Sequence, residues 1–415
     1  QFLKSLGKVQ VCLKSSMRWE KTLGSNVIGL VPGTEKPDEI VVFSAHYDAM
    51  SIAPSLSPGA TDACGIATLL ELARYFSNNP QPKTVAFIAF SGYYSALAGA
   101  RDFISRHFFP SMTGRDQGVP DDFGSKMKVL INLDLDTDND KFGTMYSGYY
   151  GFESYIAMNI EQVKRIAFFT HEFRDVYIED ARSQGIVSSW TTEDYDEAKN
   201  IIRQSLQKED WQILVPNKYW TDSEPFIRAG LNGISFYTVF SSRMHRNTPS
   251  DTFERLNLNN LRPQVELAFY FAQRIVNADQ FNFDSTPHRR GGGGEDEMFG
   301  KIVGRIEIYN RTKAWYSNLI EAGIPPVLVN VYFPWDATID VNYVTITDEN
   351  GLFELEGIFW SGAISAYVFD EFGGITYAPD LGERGAWEFS TSFDILLVSS
   401  GILGSKESPR SFIIF

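Results

Sequence analysis

The stretch TVAFIAFSGYYSALAGAR, Thr84 to Arg101, holds the change of pattern on which the fold turns. Its first half is a continuous apolar run that stops at Ser91-Gly92, and small residues at helical spacing follow. Continuous rather than alternating apolarity marks a strand covered on both faces, as in a parallel sheet. A helix following such a strand belongs to a strand–helix–strand crossover. In open sheets of this kind ligands are held at the carboxyl ends of the strands. Two phenols, Tyr93 and Tyr94, stand at that join.

Outward from this stretch the same alternation recurs. EIVVFSAHYD (39–48), KVLINLDLD (128–136) and GISFYTVF (233–240) are further short apolar runs ending in Gly or polar residues. Between and after them lie the helical patterns GIATLLELARYF (65–76), SALAGARDFISRHF (95–108) and NLRPQVELAFYFAQRIV (260–276). Such alternation predicts a three-layer αβα domain with a mainly parallel sheet over residues 1–284. Residues 172–220 turn polar and are too long for a plain connection, so an insertion carrying its own helix over one rim is expected. The run STPHRRGGGGEDEMFG follows, and its four glycines mark a linker over residues 285–299. Beyond it the period changes to two. KIVGRIEIYN, PVLVNVYF, YVTITDENGLFELEGI and GAISAYVFDEFGGITY read as strands, two pairs of them joined by DENG and EFGG turns. Residues 300–415 are therefore expected to form a small antiparallel β-sandwich.

Composition narrows the function classes. The 415 residues are 43% hydrophobic and 14% aromatic, which is far from a disordered chain. A formal net charge of −15 supplies no basic face for nucleic acid. No apolar run reaches the roughly 18 residues of a membrane-spanning helix, so membrane contact is expected only through segments absent here. Protein partners or self-assembly are expected instead. The sequence opens without an initiator Met or signal peptide, and reads as a segment of a longer secreted or membrane-anchored precursor. Cys12 and Cys64 both lie in apolar surroundings and read as buried thiols, with pairing between them left open.

The polar residues that interrupt the strand ends are few. His46 ends its strand with Asp48 two residues on, a spacing that lets an imidazole bind a metal while the carboxylate orients it. A structural histidine fits the same pattern. Asp62, in SPGATDACG, is either a helix N-cap or a ligand. Asp134 and Asp136 tip the apolar strand VLINLDLD, which is costly unless a cation or donors compensate. Asp222 and Asp251 lie in YWTDSEPFIRAG and HRNTPSDTFERLN. His107, His171 and His288 read as surface residues.

Taken in order, NVIGLVPG, EIVVFSAHYDA, PGATDACGIATLLELAR, VAFIAFSG, INLDLD, TDSEPFIRAG and NTPSDTFERL resemble the M28 family of zinc aminopeptidases and carboxypeptidases from Asn26 to Ala278. The resemblance implies a co-catalytic two-zinc site. One metal's ligands fall on His46, Asp134 and the bridging Asp62. The second metal shares Asp62 and adds a Glu and a late His, with a Glu general base beside them. Tyr93 stands at the base position, Tyr94 at the Glu ligand and Asn247 at the His ligand. Asp48 and Asp222 fall on supporting positions around the metals. A phenol is a poor base at neutral pH and an Asn carbonyl a weak zinc ligand. His245 could replace Asn247 only if its loop shifts.

Two expectations follow. The first is a catalytically inactive extracellular or cell-surface protein of this fold, a scaffold or binding ectodomain holding one Zn²⁺ or none. The second is an atypical single-metal exopeptidase drawing its base from elsewhere, such as Glu224. A cyclase-like acyl transfer needs the missing Glu as well. The last domain resembles the transthyretin-like regulatory modules of carboxypeptidases through its Thr-Asp-x-x-Gly-x-Phe hairpin, and Asn310 in NRT is a candidate glycosylation acceptor.

Overall fold

The protein is described from a computed structural model, covering residues 22–109, 121–145, 179, 182–183, 202–206, 220–279, 299–310, 315–322, 326, 328–332, 343–359, 365–369, 376–377, 393–399 and 411–413. Cys12, His171, His288, the linker up to residue 298 and most of the 172–220 insertion lie outside these residues.

Among the described residues seven strands make one sheet. They are β1 (Val27–Val31), β2 (Lys36–His46), β3 (Lys83–Phe90), β4 (Met127–Asp134), β5 (Phe142–Met145), β6 (Ile202–Leu206) and β7 (Gly233–Thr238). Their order is β1-β3-β2-β4-β7-β5-β6. The central block β3-β2-β4-β7 is parallel throughout, whereas β1 and β5 run antiparallel to β3 and β7. The expected mainly parallel sheet is thus present. The insertion expected to carry its own helix donates β6, which lies parallel to β5.

Period two explains why β2 is apolar without a break. Val41, Phe43 and Ala45 enter one core with Leu72, Phe76 and Phe271, while Ile40 and Val42 enter the other with Phe90, Phe103 and Phe226. The first core is covered by α1 (Ala63–Asn78) and the second by α2 (Ala98–Phe108). Beyond α2 come the short α3 (Asp122–Lys126) and α4 (Ser223–Arg228), then α5 (Leu258–Asn277), which closes the first core through Leu267, Phe271 and Ile275. Four-residue spacing puts those side chains on one helix face. At the start of α1 only glycine fits, because a Cβ on Gly65 would lie 2.4 Å from the Leu133 carbonyl oxygen at the end of β4.

The C-terminal strands form two antiparallel sheets. One runs β11 (Tyr343–Ile346), β10 (Leu328–Tyr332), β13 (Ser365–Phe369), β14 (Thr376–Tyr377). The other runs β12 (Leu352–Phe359), β8 (Phe299–Asn310), β15 (Phe393–Ser399), β16 (Ser411–Ile413), with β9 (Trp315–Ser317) paired to β8. The EFGG segment joins a paired hairpin, β13 to β14. The DENG segment does not: β11 pairs with β10 and β12 with β8, so the turn crosses between sheets. Asp348 accounts for the corner, its carboxylate accepting from the Asn350 and Leu352 amides at 2.8 Å while Gly351 takes a φ of 82°. Tyr343, Phe353, Leu355, Val329 and Leu319 share the apolar core of α2, fastening these strands to the α/β unit.

Candidate functional site

The parallel strands bring the anticipated polar residues to one rim. His46 ends β2, Asp134 ends β4 and Asp62 immediately precedes α1, all of them buried. Asp62 occupies the N-cap position of α1 yet makes no capping bond. Its carboxylate turns into the rim instead. There it accepts from the Tyr94 hydroxyl at 3.0 and 2.9 Å and from Arg246 Nε at 2.7 Å, and lies 3.2 Å from His46 Nε2.

Arg246 is one of two residues that the sequence reading missed. The other is Arg243, whose Nη1 donates to Asp134 at 2.6 Å, whose Nε donates to Asp136 at 2.9 Å and whose Nη2 reaches the Asp134 carbonyl at 2.8 Å. Both arginines are buried, and both lie on aromatic faces. Arg243 sits 4.4 Å from the Tyr237 ring centre, and Arg246 5.0 Å from that of Tyr93 and 5.8 Å from that of Tyr94. Delocalised guanidinium is the cation suited to such fork-and-stack surroundings. The loop after β7 that supplies them contains three non-glycine residues in left-handed conformation: Phe240, Arg243 and Asn247, with φ of 55°, 46° and 64°. Such conformations cost energy and persist where surroundings enforce them. Of the three, Arg243 is held directly, by its bonds to Asp134 and Asp136. A signal was present in the sequence: a tip as acidic as LDLD calls for a cation or donors, and SSRMHRN offers two arginines beside the expected late ligand.

The other candidates have local duties. The Tyr93 hydroxyl, at the base position, donates to the Trp220 carbonyl at 2.6 Å, and its ring stacks on His46 at 4.0 Å between centres. Burial raises its pKa further above that of ordinary phenols, which removes it as a base at neutral pH. Asp48, expected to orient His46, accepts from the Tyr93 amide at 3.3 Å. The carboxylate facing His46 Nδ1 is that of Asp222, at 3.9 Å. Glu224, offered as a substitute base, accepts from the Thr221 amide at 3.0 Å. His245 stays in its own turn, 3.1 Å from Ser250 Oγ, and Asp251 ties the loop to Thr61 at 3.0 and 2.6 Å. Asn247 contributes its backbone carbonyl to Ile52, while its buried Oδ1 has no hydrogen-bond partner among the described residues. His107, read as a surface residue, is half-buried against Phe103 and 2.7 Å from Asp121. Cys64 is a free buried thiol whose pKa burial pushes up to about 12.

Electrostatics in this rim follow from burial and the arginines. Burial alone would raise Asp62, but Arg246, His46 and Tyr94 overcome it and hold the carboxyl at about 2. At Asp222 burial outweighs the opposing His46 and Arg246 and lifts it to about 7. Asp136 is likewise raised by burial, with Arg243 opposing.

Those contacts decide how well the rim suits a zinc ion. Zinc would need the His46 Nε2 lone pair and oxygens of Asp62 and Asp134 at about 2 Å. His46 Nε2, Asp62 Oδ1 and Asp134 Oδ1 already lie 3.3, 2.7 and 2.6 Å from guanidinium nitrogens. A dication among them would face two fixed positive charges at close range, a repulsion of several kcal/mol even at an effective dielectric of about 20. As placed, the residues do not fit zinc. Among the described residues no group of three or more His, Cys, Asp or Glu is positioned to hold a metal.

Comparison with known proteins supplies the lineage. Residues 26–272 match the profile of peptidase family M28. A probable zinc metalloprotease of Pyrenophora tritici-repentis is 35% identical over 116 residues, covering 27% of this chain and 24% of that protein. A vacuolar membrane protease of Schizophyllum commune is 38% identical over 82 residues, covering 20% and 9%. The chain thus spans under a quarter of the length of these curated relatives. Among solved structures, the zinc aminopeptidase BSAP of Bacillus subtilis aligns with a TM-score of 0.39 at 18% identity, over 62% of this chain and 51% of that one. A glutaminyl cyclase of Macrostomum lignano aligns with a TM-score of 0.43 at 16% identity, over 62% and 73%.

Proposed function

The chain belongs to peptidase family M28, and from that premise we propose that it is a member that no longer hydrolyses peptide bonds and serves as a scaffold or binding ectodomain. One observation carries this: Arg246 and Arg243 are ion-paired with the carboxylates expected to hold metal, Asp62 and Asp134. A buried guanidinium neutralises a carboxylate but offers no exchangeable site for water or a carbonyl oxygen. With Tyr93 donating its proton to Trp220, nothing at the base position takes a proton from water. Loss of a general base alone costs about 10²–10⁴ in rate. The acidic net charge of −15 and the sequon at Asn310 support an extracellular or cell-surface setting. The vacuolar membrane protease relative supports a place in the membrane system, and among the described residues no helix is long and apolar enough to cross a membrane.

The names of the curated relatives favour a second reading, a zinc-dependent exopeptidase with an atypical single-metal site. One experiment divides the two. The purified chain is analysed for zinc and assayed on a panel of aminoacyl and acidic-dipeptide substrates, with and without chelator. Substoichiometric zinc and no chelator-sensitive turnover are expected. Turnover abolished by chelator overturns the first reading and establishes the second.

A further inference from the structure

Directly after the two tyrosines the backbone does something costly. Ala96 and Leu97 are consecutive and neither is glycine, yet both take the left-handed conformation, at φ of 55° and 57°. For L-residues this region is disfavoured and occurs mostly singly. Both side chains are buried, so the turn cannot relax outward without exposing apolar surface. The amides of Leu97, Ala98 and Gly99 close it by donating to Tyr93, Gly92 and Ser91 carbonyls.

One buried side chain holds the turn from the far side. Arg101 Nε donates to the Ala96 carbonyl at 2.7 Å, and Arg101 Nη2 to the Ser95 carbonyl at 3.3 Å. The guanidinium is itself covered from outside the α/β unit, lying 5.0 Å from the centre of the Tyr343 ring. Tyr343 begins β11 and is fully buried. A continuous series of contacts therefore runs from the C-terminal strands through Tyr343 and Arg101 to the strained turn. It continues to Tyr94, whose hydroxyl sits on Asp62.

We propose that Arg101 is a positioning residue for the Tyr93–Tyr94 pair, and that Tyr343 of the C-terminal strands locks it in that role. The C-terminal strands thereby act as a clamp on the site's tyrosine turn. A guanidinium fork satisfies two carbonyls of a turn that would otherwise relieve its strain by opening. An aromatic lid excludes the water that would compete for those donors. This clamp goes beyond the proposed lack of hydrolysis and does not depend on it.

Hydrogen exchange of the full chain, read by mass spectrometry on peptides covering residues 92–99, tests the clamp. Arg101→Lys keeps the charge and loses the fork. Tyr343→Leu keeps apolar bulk and loses the aromatic face, and Tyr343→Phe keeps the face. The first two are expected to speed exchange at Leu97–Gly99 by about ten- to thirtyfold, with peptides of β2 and β4 unchanged. Tyr343→Phe is expected to match the wild type. Adding Ala96→Gly to Arg101→Lys should restore most of the protection, because glycine adopts the left-handed turn without strain. A merely structural role for Arg101 predicts no such rescue. Unchanged exchange in Arg101→Lys, acceleration spread equally over β2 and β4, or failure of the glycine rescue overturns the proposal. If Tyr343→Leu does not fold, Arg101→Lys and its glycine rescue decide the outcome.

Discussion

Removing Arg246 tests the electrostatics of the rim most directly. The Arg246 side chain is 0% exposed and that of Asp62 3%, so Arg246→Ala leaves a carboxylate buried without its cation. Breaking such a pair from one side costs about 3–5 kcal/mol. The wild-type pKa gives an independent scale. Holding Asp62 at about 2 rather than 3.8 is worth about 2.5 kcal/mol at about 1.4 kcal/mol per pH unit. Because the folded pKa is depressed, this stability is present above pH 3.8 and is lost as pH falls through 2. Arg246→Ala removes the largest of the influences that lower Asp62. Burial is then opposed by His46 and Tyr94 without the guanidinium, and the folded pKa rises from about 2. The stability that the depression supplied above pH 3.8 shrinks with it, so the variant falls below the wild type most at neutral pH and least in acid. Urea unfolding followed by tryptophan fluorescence and far-UV circular dichroism, at several pH values between about 3.5 and 8, measures both effects. A neutral pair, Asp62→Asn with Arg246→Met, is expected to recover most of the loss. A loss below about 1 kcal/mol in Arg246→Ala, or a pH profile parallel to the wild type, refutes the account of the pair.

Other perturbations read neighbouring parts of the molecule. Tyr94→Phe removes the hydroxyl that donates to both Asp62 oxygens and is expected to cost about 1–2 kcal/mol in the same unfolding measurement. Asp222 is lifted from 3.8 to about 7, so its contribution is fully present below pH 3.8 and lost as pH rises through about 7. Asp222→Asn is therefore expected to flatten the stability profile between those values, and an unchanged slope counts against the raised pKa. Gly65→Ala places a methyl 2.4 Å from the Leu133 carbonyl oxygen and is expected to lower stability by about 1–3 kcal/mol, seen as a lower thermal midpoint.

Much of the fold was legible in the sequence because its signals are local. EIVVFSAHYD and KVLINLDLD are apolar on both faces, and both became central strands of the parallel block. The DENG corner was misread as a paired hairpin because a turn fixes a reversal but not the neighbours of the strands it joins. Strand β6 was missed inside the polar 172–220 segment because a short edge strand need not look apolar. At the site, sequence order placed His46, Asp62, Tyr93 and Tyr94 in one region, and the structure brings them into contact. Arg243 and Arg246 were passed over because arginine in a polar loop ordinarily faces solvent. In the fold Arg243 meets the LDLD tip and Arg246 meets Asp62, which makes both of them buried counter-ions. Asp48 was assigned to His46 by two-residue spacing, yet alternate residues leaving a strand end diverge, and Asp222 from a distant segment faces the imidazole.

The guanidinium on Asp62 differs from any bound metal in one further respect: it is covalently part of the polypeptide. A dissociable ion stabilises a fold by mass action, in proportion to the logarithm of its free concentration over its dissociation constant. A tethered cation has no such dependence. Its local concentration is set when the β7 loop closes and is the same in every copy of the chain, whatever the supply of trace metal in the surroundings. Neutralisation of Asp62 is thus tied to folding of residues 239–247 rather than to metal supply.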